Sequence, residues 1–430
     1  MFDPVERAAA ELGLTGPAVR RYHAPGRIEV LGKHTDYAGG RSLVCATEQG
    51  IAFVARPRGD RRVRIVDVRL GQEREFALDP NLPAPRGDWG NYPATVAARL
   101  ARDFGPRVEG IDLVFASDIP FAAGVSSSSA LVVGIAWAMI DASRLDQDPG
   151  FRANLHSLVD LAGYLGAMEN GRVFRGFAGG VGVGTMGGSQ DQTAIICSVA
   201  DHLAQFRFDP VLPEGTVGWP EDHLFAVAAS GVVAEKTGAA LEHYNDLARM
   251  TAALRDVVAG EGDRAMTLGR ILIDGDGLLG PVVARLGRLE DRASAGRLER
   301  RLIQLTAECR TSIPGFRGAL DRRDWPVVGD LAASSQSGAE QGLGNQIEET
   351  RSLVGLAIEE RAVAASAFGA GFGGSVWAMI RRDDADRFLA EWARRYQDRF
   401  PAHDGSIFFT TRPAPPLIAV TGRSPRDVVD

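Results

Sequence analysis

The chain has 430 residues, of which 45% are hydrophobic and 24% are charged. This composition is that of a folded globular protein and excludes a fibrous, collagen-like or wholly disordered chain. Lys and Arg number 48 against 55 Asp and Glu, a formal charge of -7. Without a long basic run, this balance argues against nucleic acid as a partner. The length favours two domains, because a single core would be unusually large.

The cysteines and the N-terminus predict a cytoplasmic protein. Cys45, Cys197 and Cys309 lie far apart with no CxxC spacing, as is common in a reducing compartment. The first residues, MFDPVERAAAELG, are acidic and amphipathic, unlike a secretory signal. A run of about 18 apolar residues is also missing, so no membrane partner is expected.

Short strands are predicted in the first third of the chain, where apolar and β-branched residues alternate. These strands are residues 28–31, 51–55, 62–68, 73–78 and 110–116. Helices are predicted at 129–145 and 155–171, and the first is apolar on nearly every side, which predicts burial. Residues 176–188 are so rich in glycine that they are predicted to form a loop.

The second half of the chain is predicted to be mostly helical. The predicted helices are 234–259, 292–311, 346–365 and 384–397, with strands at 224–230 and 375–380. Strands followed by helices with returning strands indicate an α+β fold in two lobes, and not an alternating parallel α/β fold. We divide the chain into lobes of residues 1–209 and 210–430.

The first of three glycine-bearing segments is residues 24–43, APGRIEVLGKHTDYAGGRSL. A strand bracketed by glycines leads there into a loop that presents Lys33, His34, Thr35, Asp36 and Tyr37. Several kinds of polar group at the exit of a sheet are typical of a ligand site. A polar hairpin closed by two glycines explains the same residues equally well.

The second segment is residues 117–134, SDIPFAAGVSSSSALVVG. A turn at Gly124 leads through Ser126, Ser127 and Ser128 into the predicted buried helix. The start of a helix offers unpaired N–H groups and the positive end of the helix dipole, which bind phosphate. Serine hydroxyls beside it can bind Mg²⁺. A simple helix cap would need only one serine.

The third segment is residues 366–380, with four glycines in the six residues 369–374. Such a turn permits close approach of the backbone to a ligand. It does not fit GxxxxGK[ST], so a Walker-type phosphate loop is excluded.

In order and spacing, the three segments resemble the motifs of the GHMP kinase superfamily, and the first resembles that of galactokinases. GRIEVLGKHTDYAGG is similar to GRxNxxGEHTDYxxG, PFAAGVSSSSA to PxGAGLSSSA, and GAGFGGS to GxGFGGC. WGNYP (89–93) and residues 230–245 match in part. The resemblance implies a two-lobed α+β kinase, each lobe a mixed or antiparallel sheet covered by helices. It also implies ATP between the lobes and phosphoryl transfer to the anomeric hydroxyl of a sugar.

The resemblance also assigns roles to residues. Arg27 matches the arginine near the transferring phosphate, and Asp191 matches the catalytic aspartate. An aspartate has a reference pKa of about 3.9, so orienting the sugar hydroxyl is its larger expected role. The residues matched to sugar binding are His34, Asp36 and Tyr244. Those matched to the nucleotide are Trp89, Asn91, Gly124, Ser126, Ser127 and Ser128, with Ser128 and Glu169 as the Mg²⁺ ligands.

Some of these residues have simpler explanations when the resemblance is set aside. Glu169 is then a solvated charge at a helix end, and Asp191 caps the following element. Phosphoryl transfer nevertheless asks for these residue types, because it depends on positioning groups and neutralising charge. An arginine provides a fixed positive fork for phosphate oxygens.

The chain departs from the galactokinase motif at Lys33, where the motif has a glutamate. An ammonium group only donates hydrogen bonds and adds a positive charge. Lys33 is one of only two lysines, with Lys236, which suggests a contact with the carboxylate of a sugar acid such as galacturonate. Pairing of Lys33 with Glu29, Asp36 or another acid is an equal alternative. A second departure is the glycine-rich stretch 176–188, a candidate cover over the sugar.

We therefore expect an ATP- and Mg²⁺-dependent sugar-1-kinase acting on a galactose-like monosaccharide, as a monomer or weak homodimer. The alternatives are a uronate 1-kinase and, from another class, a catalytically silent sensor that binds sugar and ATP. The presence of Arg27, Ser128, Glu169 and Asp191 favours an enzyme, since a sensor has no need of the transfer residues.

Overall fold

The computed structural model of the chain builds two β-sheets with helices packed against them. It describes residues 2–83, 85, 87–120, 124–232, 239–259, 268–275 and 279–429. In chain order the strands are β1 (Arg20–Leu31), β2 (Arg41–Arg58), β3 (Arg62–Asp67), β4 (Gln72–Ala77), β5 (Gly110–Ser117), β6 (His202–Arg207), β7 (Leu212–Gly218), β8 (His223–Ala229), β9 (Ala364–Phe368), β10 (Ser375–Arg381), β11 (Ile407–Thr411) and β12 (Ile418–Thr421).

The α-helices lie between these strands or follow them. They are α1 (Phe2–Glu11), α2 (Asn91–Phe104), α3 (Ser127–Ala142), α4 (Pro149–Asn154), α5 (Leu158–Glu169), α6 (Gln190–Cys197), α7 (Ala239–Ala259), α8 (Leu268–Asp274), α9 (Leu279–Leu286), α10 (Arg292–Ala307), α11 (Ile313–Asp321), α12 (Trp325–Gly338), α13 (Glu348–Glu359), α14 (Ala385–Arg399) and α15 (Arg426–Val429). Within the described ranges, none of these helices combines bilayer-spanning length with a sufficiently apolar sequence.

The first sheet is mixed and is built around the long strand β2. The apolar runs of β1, β2 and β5 are buried along most of their length. The strand order is β12, β1, β2, β5, β3, β4, and the hairpin of β6 and β7 pairs with the first residues of β2. Strands β3 and β5 are parallel, while the other pairs are antiparallel. The first lobe thus has the mixed sheet that was predicted.

Helix α3 lies at the centre of the first lobe. Its sequence is apolar on every side, and residues Ser129 to Asp141 are all buried. The helix packs between the sheet and helices α2, α5 and α6. Because it is enclosed in this way, its N-terminus has a fixed position relative to β1 and α6.

The second sheet is antiparallel and lies in the C-terminal half of the chain. Its strand order is β11, β8, β10, β9, and helices α12, α13 and α14 pack against it. Trp377 of β10 donates its indole N–H to the carbonyl of Val30 in β1 at 3.1 Å. The segment that follows β1 therefore lies between the two lobes.

The predicted lobe boundary at residues 209 and 210 needs correction at two places. Strand β7 pairs with β6, so the boundary would cut a hairpin of the first sheet. Strand β12 returns to the first sheet and pairs with β1. Arg423 then bonds Asp141 of α3 and Asp146. The end of the chain belongs to the first lobe because β1 offers it a free edge and α3 offers it a charge partner.

Candidate active site

A polar cavity lies where β1, the starts of α3 and α6, the end of α5 and the turn between β9 and β10 meet. It opens to solvent, and the space inside it is about 510 Å³ when the solvent at its mouth is counted. Its walls are Arg27, Glu29, His34, Asp36, Tyr37, Ser129, Glu169, Asn170, Thr185, Gly187, Gly188, Gln190, Asp191, Gln192, Tyr244, Gly369 and Ala370. Residues far apart in the sequence thus share one site, as predicted.

Arg27 and Asp191 form an ion pair at one wall of the cavity. The Nε of Arg27 donates to Oδ1 of Asp191 at 2.8 Å, and its Nη1 donates to the carbonyl of Gly124 at 2.8 Å. The other carboxylate oxygen, Oδ2, accepts from the hydroxyls of Ser126 at 2.5 Å and Ser129 at 3.3 Å. The aspartate is therefore held between a buried cation and the beginning of α3.

The start of α3 keeps its backbone donors available. Ser126 has a left-handed backbone with φ of 60°, a conformation that costs energy for a residue other than glycine. Its hydroxyl bonds Asp191 and makes no capping bond to the described first turn of α3. The first N–H groups and the positive end of the helix dipole therefore remain for an anion. Ser127 at this end is exposed.

Glu169 and Ser129 place two oxygen ligands side by side. Oε1 of Glu169 accepts from the hydroxyl of Ser129 at 3.2 Å, and its Oε2 accepts from the amide of Gln192. Mg²⁺ is commonly held by one or two carboxylates with substrate oxygens and water, so this pair fits it. The described residues contain no cluster of three or more His, Cys, Asp or Glu that could hold a metal ion.

This pair favours Ser129 over the predicted Ser128 as the serine that would bind Mg²⁺ with Glu169. Each residue along a helix is rotated by about 100° from the one before. Ser129 is buried on the side of α3 that faces Glu169, whereas Ser128 is half-buried. A run of four serines could not reveal which of them the helix turns toward the acid.

His34 and its aromatic neighbours form the opposite wall. The ring Nε2 is 3.0 Å from the carbonyl of Ala370, and Nδ1 is 2.7 Å from the hydroxyl of Tyr37. Because a carbonyl only accepts, we assign the proton to Nε2, which makes Nδ1 the acceptor from Tyr37. The ring of Tyr244 lies 5.4 Å from that of His34. The structure thus brings His34 and Tyr244, two of the three residues matched to sugar binding, to the cavity.

Asp36 lies in the same wall and is half-buried. Its Oδ2 accepts from the backbone N–H of Gln190 at 3.1 Å. Burial raises the pKa of Asp36, opposed by the backbone bonds that its carboxylate accepts. Burial likewise raises the pKa of Tyr244.

The glycine-rich segment 176–188 forms a side of the cavity through Asn170. The side-chain oxygen of Asn170 accepts from the hydroxyl of Thr185 and the N–H of Gly187, each at 2.8 Å. Its amide donates to the carbonyl of Gly188 at 2.9 Å. The C-terminal end of the segment that was predicted to cover the sugar is therefore a wall of the cavity, held in place by Asn170.

The turn between β9 and β10 brings the backbone of the second lobe to the site. Gly369, Gly371 and Gly373 have φ values of 82°, 79° and 134°, which glycine adopts without strain. A side chain at Gly371 would lie 2.4 Å from Nδ2 of Asn345. The turn needs glycine, as its composition predicted, and it presents Ala370 to His34.

Of the two alternatives for Lys33, the structure favours buried polar contacts over a contact with the substrate. Its ammonium is 1% exposed and donates to the hydroxyls of Ser335 and Ser366, each at 2.8 Å. Ser335 in turn donates to Glu308. Burial lowers the pKa of Lys33, opposed by the charge of Glu308. The backbone at His34 is left-handed. The side chains of Lys33 and His34 therefore point in different directions, and Lys33 does not line the cavity.

Trp89 and Asn91 do not line the cavity, and Asn91 contacts the glycine-rich segment. The indole N–H of Trp89 donates to Oε1 of Gln72 at 2.7 Å, and its ring packs edge-on against Phe115. The amide of Asn91 donates to the carbonyl of Val183 at 3.0 Å. Their assignment to the nucleotide stays a prediction. Lys236 lies outside the described residues.

Several cavity residues were not predicted as part of the site, among them Glu29, Asn170 and Gln190. Glu29 is an acid within an otherwise apolar strand, a signal that was visible. Asn170 follows the end of α5, where an asparagine often ends a helix. Gln190 flanks Asp191, and its role follows only from the position of the cavity.

Comparison with protein families matches three parts of the chain. Residues 13–57 match the galactokinase galactose-binding signature, residues 91–199 the GHMP kinases N terminal domain, and residues 316–398 the GHMP kinases C terminal domain. These ranges contain every residue that lines the cavity except Tyr244.

Galactokinases from several bacteria are similar to the chain over most of its length. That of Chloroflexus aurantiacus is 27% identical over 429 residues, which cover 96% of this chain and 95% of the relative. That of Roseiflexus sp. is 26% identical over 386 residues, 87% of each protein. The structure of Lactococcus lactis galactokinase complexed with galactose matches with a TM-score of 0.76 at 20% identity, covering 96% of this chain and 98% of that one. Methanococcus jannaschii mevalonate kinase matches with a TM-score of 0.54 at 12% identity, covering 91% and 97%. The solved structures establish the shared fold.

Proposed function

Because the chain belongs to the GHMP kinase family and is an ATP-dependent sugar kinase, we propose that it phosphorylates the anomeric hydroxyl of a galactose-like monosaccharide. One observation carries this proposal. Asp191 is fixed by Arg27 and by the start of α3 at a wall of the same cavity that Asp36 and His34 line. A phosphate at the helix start and a sugar in the cavity would then meet beside the aspartate.

The sugar would be held by the polar wall of the cavity. Asp36 offers carboxyl oxygens to hydroxyl groups, and His34 fixes the position of the second-lobe turn through Ala370. Tyr244 lies beside His34 and gives the sugar ring an aromatic surface. This arrangement supports a small polyhydroxylated substrate, because such sites combine a few placed polar groups with a packing surface.

The phosphates of ATP would lie at the start of α3, where backbone N–H groups remain available. Arg27 holds a positive charge 2.8 Å from Asp191. Its guanidinium would stabilise the negative charge on the oxygens of the transferring phosphoryl group. Phosphoryl transfer gains most from such positioning and charge neutralisation.

Asp191 would accept a hydrogen bond from the sugar hydroxyl that attacks phosphorus. Its two oxygens already accept bonds from Arg27 and Ser126, which fix the carboxylate plane. The residue then orients the attacking oxygen and takes its proton as the new bond forms.

Ser129 and Glu169 would hold Mg²⁺ next to Asp191. When bound, the ion neutralises charge on the phosphate oxygens. The protein's own part is to keep the two ligands in place, and the amide of Gln192 does this for Glu169.

The alternatives to this function have no observation in their favour. The uronate 1-kinase alternative depended on a contact between Lys33 and the substrate carboxylate. The Lys33 ammonium bonds Ser335 and Ser366 instead. A silent sensor would not require Asp191 and Arg27 to be joined at the cavity.

The proposal is tested by sugar-dependent ADP release. The purified protein is given ATP, Mg²⁺ and a panel of neutral hexoses, pentoses and uronic acids. We expect turnover with galactose-like neutral sugars, and a loss of at least about 10³-fold in Asp191→Asn, because the amide cannot take the proton. Turnover restricted to uronic acids, or full activity in Asp191→Asn, would contradict the proposal.

A further inference from the structure

Glu29 is a cavity residue for which the mechanism gives no role. It lies in β1, is 3% exposed and lines the cavity. Its Oε2 accepts from the side-chain amide of Gln190 at 2.5 Å. Its Oε1 is fully buried and has no hydrogen-bond partner among the described residues.

The position of Glu29 in the strand directs it to the same side as Arg27. Residues two apart in a strand point to the same face. Arg27 binds Asp191, and Gln190 precedes Asp191 in α6. Glu29 is thus joined to the transfer residues by Gln190 while its second oxygen remains unbonded.

A buried carboxyl oxygen without a hydrogen bond, in a residue that lines a polar cavity, normally has a ligand or water as its partner. Burial raises the pKa of Glu29 to about 8, opposed by the charges of Arg27 and Lys33 and reinforced by Asp191. The raised pKa favours the protonated form, which can both donate and accept a hydrogen bond. A sugar hydroxyl, which also does both, is a better partner than a carboxylate.

We propose that Glu29 is a specificity-determining residue whose Oε1 hydrogen-bonds one hydroxyl of the sugar, other than the hydroxyl beside Asp191. This inference rests on the proposed function, because it takes the cavity to hold a monosaccharide. A site that bonds a particular hydroxyl discriminates against the analogue that lacks it, since the buried group is then left unpaired.

The test compares deoxy analogues of the best substrate, each lacking one hydroxyl, in wild type, Glu29→Gln and Glu29→Ala. We expect one analogue to lower kcat/KM of wild type by about tenfold or more. Removing that same hydroxyl should cost Glu29→Ala less than about twofold. Glu29→Gln keeps the size of the side chain and should give an intermediate value. Glu109→Gln, an exposed acid, serves as the matched control and should retain the wild-type pattern.

The comparison of the deoxy analogues distinguishes a specificity role of Glu29 from a structural one. If each deoxy analogue lowers kcat/KM of the variants by the same factor as in wild type, Glu29 has only a structural role and the inference is overturned. If Glu29→Ala does not fold, Glu29→Gln supplies the comparison.

Calorimetric binding separates this inference from the proposed function. Should wild type bind a sugar without phosphorylating it, the proposed function fails, and the same comparison of dissociation constants decides the role of Glu29. Should it neither bind nor phosphorylate any sugar, both are overturned.

Discussion

Gly188 gives the sharpest structural test of the sugar site. A methyl group there would lie 2.3 Å from Oδ2 of Asp36, 2.6 Å from its Cγ and 2.9 Å from the backbone N of Tyr37. Contacts this short force atoms to move. The carbonyl of Gly188 accepts from Asn170, which keeps the segment against the site, so the carboxyl of Asp36 must rotate away.

The size of the effect follows from what Asp36 would lose. Its bond from the N–H of Gln190, 3.1 Å long, would break, and the contact with the sugar that we propose for Asp36 would be lost. A hydrogen bond to a charged group contributes about 1.5 to 3 kcal/mol, which corresponds to a rise in KM of about 10- to 150-fold. The free energy of unfolding should fall by about 1 to 3 kcal/mol. The three atoms nearest to the methyl group belong to Asp36 and Tyr37 and not to Asp191, so kcat should change less than KM.

Steady-state kinetics and urea denaturation measure these two effects separately in Gly188→Ala. The control is Gly355→Ala in α13, where a methyl group meets nothing within 4 Å. That variant should keep the wild-type KM and gain up to about 1 kcal/mol of stability, since alanine favours a helix. A folded Gly188→Ala protein with a KM within twofold of wild type would refute the placement of Asp36 at the sugar.

Three further variants test the metal site, the buried lysine and the buried acid. Ser129→Ala should raise the Mg²⁺ concentration for half-maximal activity by about tenfold, and Ser128→Ala should raise it much less; equal effects in a Mg²⁺ titration would contradict the assignment. Lys33→Met should lower the free energy of unfolding in urea by about 2 to 4 kcal/mol, because two hydroxyls lose their donor and Glu308 loses a nearby positive charge. Its KM for neutral sugars should stay within about threefold; unchanged stability with a large rise in KM would restore Lys33 as a substrate contact. Glu29 has a folded pKa raised from 4.5 to about 8, so its stabilising contribution is present below pH 4.5 and is lost as pH rises through about 8. Glu29→Gln lacks this loss, so its free energy of unfolding relative to that of wild type should rise by up to a few kcal/mol between those pH values. If the difference between the two proteins in urea denaturation does not change with pH, the carboxyl is not buried in this way.

Many elements of the fold could be predicted from hydrophobic patterning. The strands predicted at 51–55 and 110–116 are parts of β2 and β5, and the predicted helix at 129–145 is α3. The prediction failed at residues 346–365, where α13 ends at Glu359 and β9 follows at Ala364. The alanine-rich sequence there favours a helix on its own, and pairing with β10 overrides that preference.

The motifs predicted which residues come together better than they predicted side-chain directions. Arg27, Asp36 and Asp191 share the cavity because their motifs begin or end elements that meet between the lobes. Lys33 and Ser128 do not line the cavity, because direction depends on the backbone turn at His34 and on the rotation of α3. Neither quantity can be obtained from residue types alone.

The most direct test of the proposed phosphorylation at the anomeric hydroxyl is the position of the transferred phosphate. Wild-type protein is incubated with ATP, Mg²⁺ and galactose labelled with ¹³C at C1, and the product is examined by ³¹P and ¹³C NMR. We expect one product whose phosphorus couples to the labelled anomeric carbon, and no product from Asp191→Asn. Phosphate on another hydroxyl, or ATP hydrolysis at the same rate with and without sugar, would contradict it.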